Sequence, residues 1–210
     1  MKIARTLALF VATWTSASAA VILSDNFDDG DVSDWTKTTN YVPGNGTTAV
    51  TVNSANVSAP NSMHTFLNLP GGEGTFFNIF VHASKDFTTT LAVDHTLTLQ
   101  AQSSPCSGCT ISYEVLVDGS LLTQTSFTVG FQPRNFNLAG LTPGVHTLTL
   151  GMFTTAANNG GFHAFFDDVL ITSPETGVPE PSTTIMLLAG VTLFGAMSRH
   201  RRARQRRAVP

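Results

Sequence analysis

Four aspartates could together hold a cation. They form two pairs near the ends of the central part of the chain: Asp25, Asp28, Asp167 and Asp168. Calcium prefers about six to eight oxygen ligands, and carboxylates suit it well. If Phe165 and Val169 both face a core, a period of two turns Asp167 the same way, and a buried carboxylate needs a cation or several N–H donors. The alternatives are solvated turn carboxylates or a backbone-capped aspartate, and residues 25–34 lack the final glutamate of an EF-hand loop.

Cys106 and Cys109 are the only cysteines. A redox Cys-x-x-Cys pair stands at a helix start after a strand, whereas this pair leads directly into a predicted strand at residues 110–117. A zinc site would need two further ligands. The pair therefore predicts a local disulfide that pins a turn.

Aromatic side chains that could stack on a sugar ring are Trp35, Tyr41, Phe76 and Phe80, although core packing explains such residues equally well. Signals for catalysis are weak. The four glutamates form no closely spaced acidic cluster, and the six histidines occur singly, without metal-ligand spacing. The residue types favour binding over catalysis.

The elements that must position these side chains are strands. Apolar and polar residues alternate with a period of two, and Gly, Pro, Asn and Asp mark turns between the alternating segments. The strand candidates are residues 21–27, 47–52, 63–69, 76–83, 97–101, 111–117, 121–129, 148–152 and 162–172. Asp118-Gly119 predicts a tight hairpin. About nine to eleven short strands predict an all-β fold, an antiparallel two-sheet sandwich; a resemblance described next implies that it is of jelly-roll type.

Two segments resemble the first and last strands of galactose-binding-like jelly rolls, a group that includes many carbohydrate-binding modules. They are residues 25–30, with Trp35, and residues 165–171. The resemblance implies that the first and last strands are neighbours, so the two aspartate pairs would meet. It also implies that a calcium ion held there is structural and not catalytic.

The N-terminal segment predicts a secretory signal peptide at residues 1–20. Lys2 and Arg5 precede an apolar run at residues 7–14 and the small-residue sequence Ala17-Ser18-Ala19, the order that signal peptides show. The alternative is a buried strand or helix. Export would place the following domain, residues 21–174, in an oxidising compartment.

The C-terminal segment predicts membrane attachment. A linker at residues 175–182 contains Pro179, Glu180 and Pro181, an apolar helix follows at residues 183–198, and residues 199–210 form an arginine-rich tail. The apolar run spans about 22 Å, and the flanking arginines can reach the interface of a ~30 Å hydrocarbon core. Six arginines keep that end in the cytoplasm, so the β domain lies on the far side.

This order of tripeptide, apolar helix and arginine cluster resembles the PEP-CTERM sorting signal. The resemblance implies recognition by an exosortase in the inner membrane of a Gram-negative, exopolysaccharide-producing bacterium. Cleavage near the tripeptide would then release the protein or attach it at the surface. The competing interpretations are a plain single-span anchor and a basic tail for nucleic acid.

Charge is divided sharply along the chain. Eight of the eleven basic residues lie in the two terminal segments, and the fourteen acidic residues between them face only Lys37, Lys85 and Arg134. The middle therefore carries −11, which disfavours nucleic acid as a partner and favours divalent cations.

The sequence predicts an exported, exosortase-processed surface or matrix protein without enzyme activity, associated with exopolysaccharide in a biofilm. A carbohydrate-binding module with a structural calcium ion is the main alternative, and Trp35 and Tyr41 would be its glycan contacts. A hydrolase is a third hypothesis and would require a pair of carboxylates in a cleft.

Overall fold

The computed structural model describes residues 19–41, 46–53, 61–69, 76–103, 110–126, 130–157 and 160–174. These residues form eleven strands: β1 (Ala20–Asp25), β2 (Thr36–Thr39), β3 (Thr47–Asn53), β4 (Ser62–Leu69), β5 (Phe76–Thr89), β6 (His95–Ser103), β7 (Thr110–Val117), β8 (Ser120–Ser126), β9 (Gln132–Leu138), β10 (Gly144–Ala157) and β11 (Gly160–Ser173). The prediction of an all-β domain is confirmed for this part of the chain.

The strands form two antiparallel sheets that pack face to face. The six-stranded sheet has the order β3-β4-β11-β6-β9, with β1 also paired to β11, and the five-stranded sheet has the order β2-β5-β10-β7-β8. The predicted two-sheet sandwich is therefore confirmed. The first and last strands are neighbours, as expected, because Asp25 of β1 lies opposite Val169 of β11.

The core lies between the sheets and is built from alternate residues of each strand. On β6 these are Leu97, Leu99 and Ala101, and on β10 they include Leu148 and Leu150, all of them almost fully buried. Burying each large side chain contributes about 1.5–3 kcal/mol. The period-of-two pattern in the sequence thus corresponds to the inner faces of the two sheets.

All nine strand candidates coincide with observed strands, whereas β2 and β9 were not predicted. Both lie at sheet edges, where only one neighbour and little core contact are needed. The β2 sequence, Thr-Lys-Thr-Thr, has no apolar alternation, and β9 contains Pro133. Proline is tolerated at an edge because no ladder hydrogen bond is needed on the open side.

The predicted hairpin at Asp118-Gly119 joins β7 and β8. Asp118 has φ 50° and Gly119 has φ 74°, and two successive positive φ values are the mark of a type I′ turn. This turn matches the right-handed twist of its flanking strands, and the positive φ that it requires at both positions explains its preference for Asp-Gly.

A bulge in β11 changes which residues face the core. The register shifts between Asp167 and Leu170, where the partner of β11 changes from β4 to β1. Phe166 and Val169 both face the core, so two residues stand between successive inward positions instead of one. The expectation that Asp167 faces the core with Phe165 and Val169 was wrong. The strand's alternation places Asp167 with Phe165 on the outer face.

Several predicted features lie outside the described residues. They are the signal peptide up to residue 18, Cys106 and Cys109, the tripeptide Pro179, Glu180 and Pro181, and the apolar helix at residues 183–198. In the described part of the chain, no helix has the length and apolar character needed to cross a membrane.

Candidate functional site

Asp25 lies between the two sheets, and both of its carboxylate oxygens accept hydrogen bonds there. Its Oδ2 accepts hydrogen bonds from Lys85 Nζ at 3.0 Å and Trp35 Nε1 at 2.8 Å, and its Oδ1 accepts one from the Phe27 amide at 3.1 Å. Lys85 also pairs with Asp34. Burial alone would lower the pKa of Lys85, but hydrogen bonds and charges from Asp34 and Asp25 outweigh it and raise that pKa. Asp25 thus serves as an ion-pair partner that ties β1 to β5.

Asp167 is a buried carboxyl group on the other side of the six-stranded sheet. It is 3% exposed, and its Oδ1 accepts a hydrogen bond from the Asp168 amide at 2.8 Å. Burial is the main cause that raises its pKa to about 6; the charges of Asp168 and Asp28 add to the rise, and the Asp168 amide opposes it. Asp168 itself is exposed and accepts a hydrogen bond from Gln100 Nε2.

The four aspartates predicted to bind calcium are therefore not brought together. Asp25 does not fit, because its oxygens already accept hydrogen bonds from three donors and it lies on the inner side of the sheet. Within the described ranges, no three metal-ligating side chains come close enough to share an ion. Asp28 and Asp167 remain as possible ligands. Burial and the negative charge of Asp28 both disfavour the ionised form of Asp167, and a cation beside the two carboxyl groups would offset both effects.

Trp35 and Tyr41 do not lie where a glycan could stack on them. Each is only 5% exposed and belongs to the core. Trp35 packs against Phe27 with ring centroids 5.9 Å apart, and the Tyr41 hydroxyl accepts a hydrogen bond from the Gly46 amide. Their assignment as glycan contacts was wrong, since a stacking ring must be reachable from solvent. Phe80 is half-buried, and the Phe76 side chain is outside the described residues.

The outer face of the five-stranded sheet carries a histidine–glutamate pair at its centre. His82 on β5, Gly151 on β10 and Glu114 on β7 lie side by side in register. His82 Nε2 donates to Glu114 Oε2 across a distance of 3.0 Å, and both side chains are about nine-tenths buried. We call this surface the His82 face and define it by His82, Glu114, Gly151, Phe80 and Phe153.

Gly151 makes the pair possible. A Cβ atom at this position would lie 2.3 Å from the His82 Cδ2 and 2.4 Å from the backbone oxygen of Val81. Because no side chain rises from the central strand, the imidazole can lie across β10 and reach Glu114. A larger residue would displace both the ring and the neighbouring backbone.

Aromatic rings flank the pair on one side and hydroxyl groups on the other. Phe80 and Phe153 lie opposite each other in the next row of the sheet, and the Phe80 ring stacks on His82 with centroids 4.5 Å apart. On the other side, the hydroxyls of Ser84 and Thr149 are hydrogen-bonded at 2.9 Å. The His82 face thus combines half-buried aromatic surface with donors and acceptors in a small area.

The outer face of the six-stranded sheet has a different composition. We define the His64 face by His64, Phe66, His163 and Phe165, whose rings are stacked with centroids 4.5–6.2 Å apart. His64 Nε2 and His163 Nδ1 are hydrogen-bonded at 2.7 Å. Burial, with a smaller contribution from His163, lowers the pKa of His64 to about 4, and burial also lowers the pKa of His163.

The sequence contained a signal for both faces. Histidine and phenylalanine stand two residues apart three times, as His64 and Phe66, Phe80 and His82, and His163 and Phe165. Two residues at this spacing on a strand point to the same face. The spacing shows that each histidine shares a face with a phenylalanine, but it does not show which groups the neighbouring strands contribute.

The comparisons with known proteins first define the class of fold. The K1 adhesin domain of Lys-gingipain from Porphyromonas gingivalis W83 matches with a TM-score of 0.56 at 13% identity, over 74% of this chain and 100% of that chain. The K3 adhesin domain of the same protein matches with a TM-score of 0.51 at 14% identity, over 73% and 100%. These likenesses establish the β-sandwich fold.

Structural neighbours also include carbohydrate-binding β-sandwich modules. One is TmCBM61, solved in complex with β-1,4-galactotriose, with a TM-score of 0.48 at 15% identity over 71% of this chain and 94% of that chain. Among curated proteins, none is similar enough to this chain to match it.

The sorting signal is confirmed at the C-terminal end. The profile of the PEP-CTERM protein-sorting motif matches residues 177–202, which include Pro179, Glu180 and Pro181. The motif implies export, a membrane-anchored precursor and recognition by an exosortase.

Proposed function

We propose that this protein is an exported, exosortase-processed surface or matrix protein whose sandwich binds extracellular polysaccharide through the His82 face, without enzyme activity. The observation that carries the proposal is the His82–Glu114 pair, held across Gly151 and flanked by Phe80 and Phe153. A sugar ring offers an apolar face and a rim of hydroxyls. On the His82 face, the aromatic rings can contact the apolar face of the sugar, and the paired polar groups can bind its hydroxyls.

The polar pair is suited to positioning a ligand. Glu114 can accept hydrogen bonds from sugar hydroxyls, and its interaction with His82 holds the carboxylate in one orientation. Groups held in place lose little conformational freedom on binding, which favours affinity. The same engagement of Glu114 by His82 supports a binding role over a catalytic one.

The charge of the domain favours a neutral glycan. The part of the chain between the basic terminal segments carries fourteen acidic residues and three basic ones. Anionic polysaccharides such as polyuronates would be repelled by this surface at low ionic strength. A neutral polysaccharide would not be repelled.

Affinity gel electrophoresis and glycan arrays with the processed protein test the proposal. We expect retardation by at least one neutral polysaccharide, and a loss of about tenfold or more in affinity for Phe80→Ala and Glu114→Gln. Phe66→Ala is the matched control, because Phe66 is also half-buried and stacked on a histidine, but on the opposite face. Equal losses for Phe66→Ala and Phe80→Ala, or binding unaffected by Glu114→Gln, would contradict the assignment to the His82 face.

We further propose a structural calcium site formed by Asp28 and Asp167 together with backbone carbonyl groups, in which Asp25 takes no part. The support is the buried carboxyl of Asp167 beside the charge of Asp28. A calcium ion would supply the positive charge that this pair lacks, and its role would be structural.

A further inference from the structure

We propose that His64 and His163 form a binding site for a divalent transition-metal ion, copper(II) before zinc, on the His64 face. The two nitrogens that point at each other, His64 Nε2 and His163 Nδ1, are 2.7 Å apart. The site lies on the six-stranded sheet, so it is separate from the surface proposed to bind polysaccharide.

To accept an ion, the two nitrogens must move apart and the two rings must tilt, so that both lone pairs point at the ion. Imidazole nitrogens bind zinc at about 2.0–2.1 Å, so two such nitrogens on one tetrahedral ion lie about 3.3 Å apart. The present separation is therefore short by about half an ångström. His163 is half-buried and can yield, because its ring lies over Gly161, where no side chain stands in the way.

The protonation states also suit a metal. A hydrogen bond between two imidazole nitrogens requires one of them to accept, so the bridging position holds a single proton. An ion can take the place of that proton if the donating histidine carries its proton on its other ring nitrogen instead.

The surroundings hold His64 in place, whereas His163 can move. His64 is stacked on Phe165 with centroids 4.5 Å apart and on Phe66 with centroids 5.0 Å apart. In the part of the chain that the structure describes, no third histidine, cysteine, aspartate or glutamate joins the pair to make a larger group. We expect water to complete the coordination. Imidazole ligands with open positions favour copper(II) over zinc according to the general order of divalent metal affinities.

Titration of the full chain with CuCl2 and with ZnCl2 at pH 7.5, followed by calorimetry and by electron paramagnetic resonance for copper, tests the proposal. We expect one copper ion per chain with a signal split by two nitrogens, and weaker binding of zinc. His163→Gln and His64→Gln should each weaken copper binding by at least about tenfold. His146→Gln should leave it unchanged, because His146 lies at the opposite sheet and pairs with Asp118.

Circular dichroism and the thermal midpoint of each apo variant show whether it is folded. His163→Gln is the more informative variant because His163 is less buried than His64. Copper should also raise the thermal midpoint of the wild-type chain and not that of His163→Gln. Copper binding of equal strength in the folded His64→Gln/His163→Gln double variant would overturn the proposal, as would the absence of a two-nitrogen signal.

Discussion

The two outer faces of the sandwich both combine histidine with phenylalanine, but their electrostatics differ. On each face a histidine reaches across strands to a hydrogen-bonding partner, and a phenylalanine two residues away stacks on its ring. On the His82 face the partner is a carboxylate, so the pair presents polar, charged groups. On the His64 face the partner is a second imidazole, so the pair shares one proton and stays neutral at physiological pH.

The difference shows that the function of a strand histidine depends on its cross-strand neighbour. A glycine lies between His82 and Glu114, whereas His64 and His163 lie on adjacent strands and touch directly. Neither arrangement follows from the residues on one strand. The predictions below test this contrast, in order of decreasing effect.

Gly151→Ala should be the most damaging small substitution on either face. Its Cβ would lie 2.4 Å from a backbone oxygen of the neighbouring strand, so strand β5 itself would have to move. We expect a loss of about 3 kcal/mol in the free energy of unfolding, measured by chemical denaturation.

Gly161→Ala is the control on the His64 face. The atoms nearest its Cβ would be those of the His163 ring, with Nε2 2.6 Å away, and a side chain can rotate away. We expect a loss below about 1 kcal/mol together with a change in the His64–His163 hydrogen bond. Comparable losses in the free energy of unfolding for Gly151→Ala and Gly161→Ala would show that the two faces tolerate an added Cβ equally well.

Asp167→Asn should stabilise the protein at pH 7.5 in the presence of a chelator. Folding raises the pKa of Asp167 from 3.8 to about 6, so the wild-type chain loses stability as the pH rises through this range. Asparagine removes the unfavourable charge and can still accept the Asp168 amide hydrogen bond. We expect a gain of about 2 kcal/mol at pH 7.5 that disappears below about pH 4.

The same variant tests the calcium proposal. With calcium in excess, a site at Asp28 and Asp167 predicts that the wild-type chain gains stability and the variant does not. A variant less stable than the wild-type chain in chelator would contradict the assignment of Asp167 as an unpaired buried acid.

His146→Gln should remove one part of the pH dependence of stability. His146 Nδ1 lies 2.7 Å from Asp118 Oδ2 and Nε2 lies 2.7 Å from the Thr142 carbonyl oxygen. Both partners can only accept, so both nitrogens carry protons. The hydrogen bond to Asp118, followed by that to Thr142, raises the pKa of His146.

This contribution is present below pH 6.5 and is lost as the pH rises through the folded-state pKa of His146. We expect the stability difference between the wild-type chain and His146→Gln to fall by about 1 kcal/mol over that range. A difference that stays constant with pH would contradict the charged state of His146.

Proton NMR titration of the imidazole signals of the wild-type protein, in the presence of a chelator, should show the difference in pKa between the buried and the ion-paired histidines. His64 should titrate near pH 4, because burial and His163 oppose its charging, and His146 should titrate above the ordinary histidine value. Two overlapping titrations near pH 6.5 would contradict the electrostatic difference between these histidines.

Much of the fold could be predicted because it depends on local periodicity and turn chemistry. The alternation in residues 97–101 and 148–152 identified strands that supply the core, and Asp118-Gly119 identified a hairpin. The edge strands β2 and β9 could not be predicted, because an edge strand needs little apolar surface and its pairing is provided by distant residues.

The candidate site was predicted less well, for a related reason. Trp35 and Tyr41 have the right chemistry for a glycan but belong to the core. The two aspartate pairs are close in topology, but Asp25 lies on the inner side of the six-stranded sheet, whereas the bulge in β11 places Asp167 on the outer side. A bulge shifts every later side chain by one position, and the sequence of β11 alone does not reveal it.

The sequence by itself determined the features that depend on order along the chain: the C-terminal sorting motif, the separation of basic ends from an acidic middle, and the strands of a sandwich. Only the tertiary structure decided which side chains became partners, as in His82 with Glu114, His64 with His163, and Asp25 with Lys85. The physical reason is that these contacts depend on strand register, bulges and the packing of one sheet on the other. Each of these is settled by residues far apart in the chain.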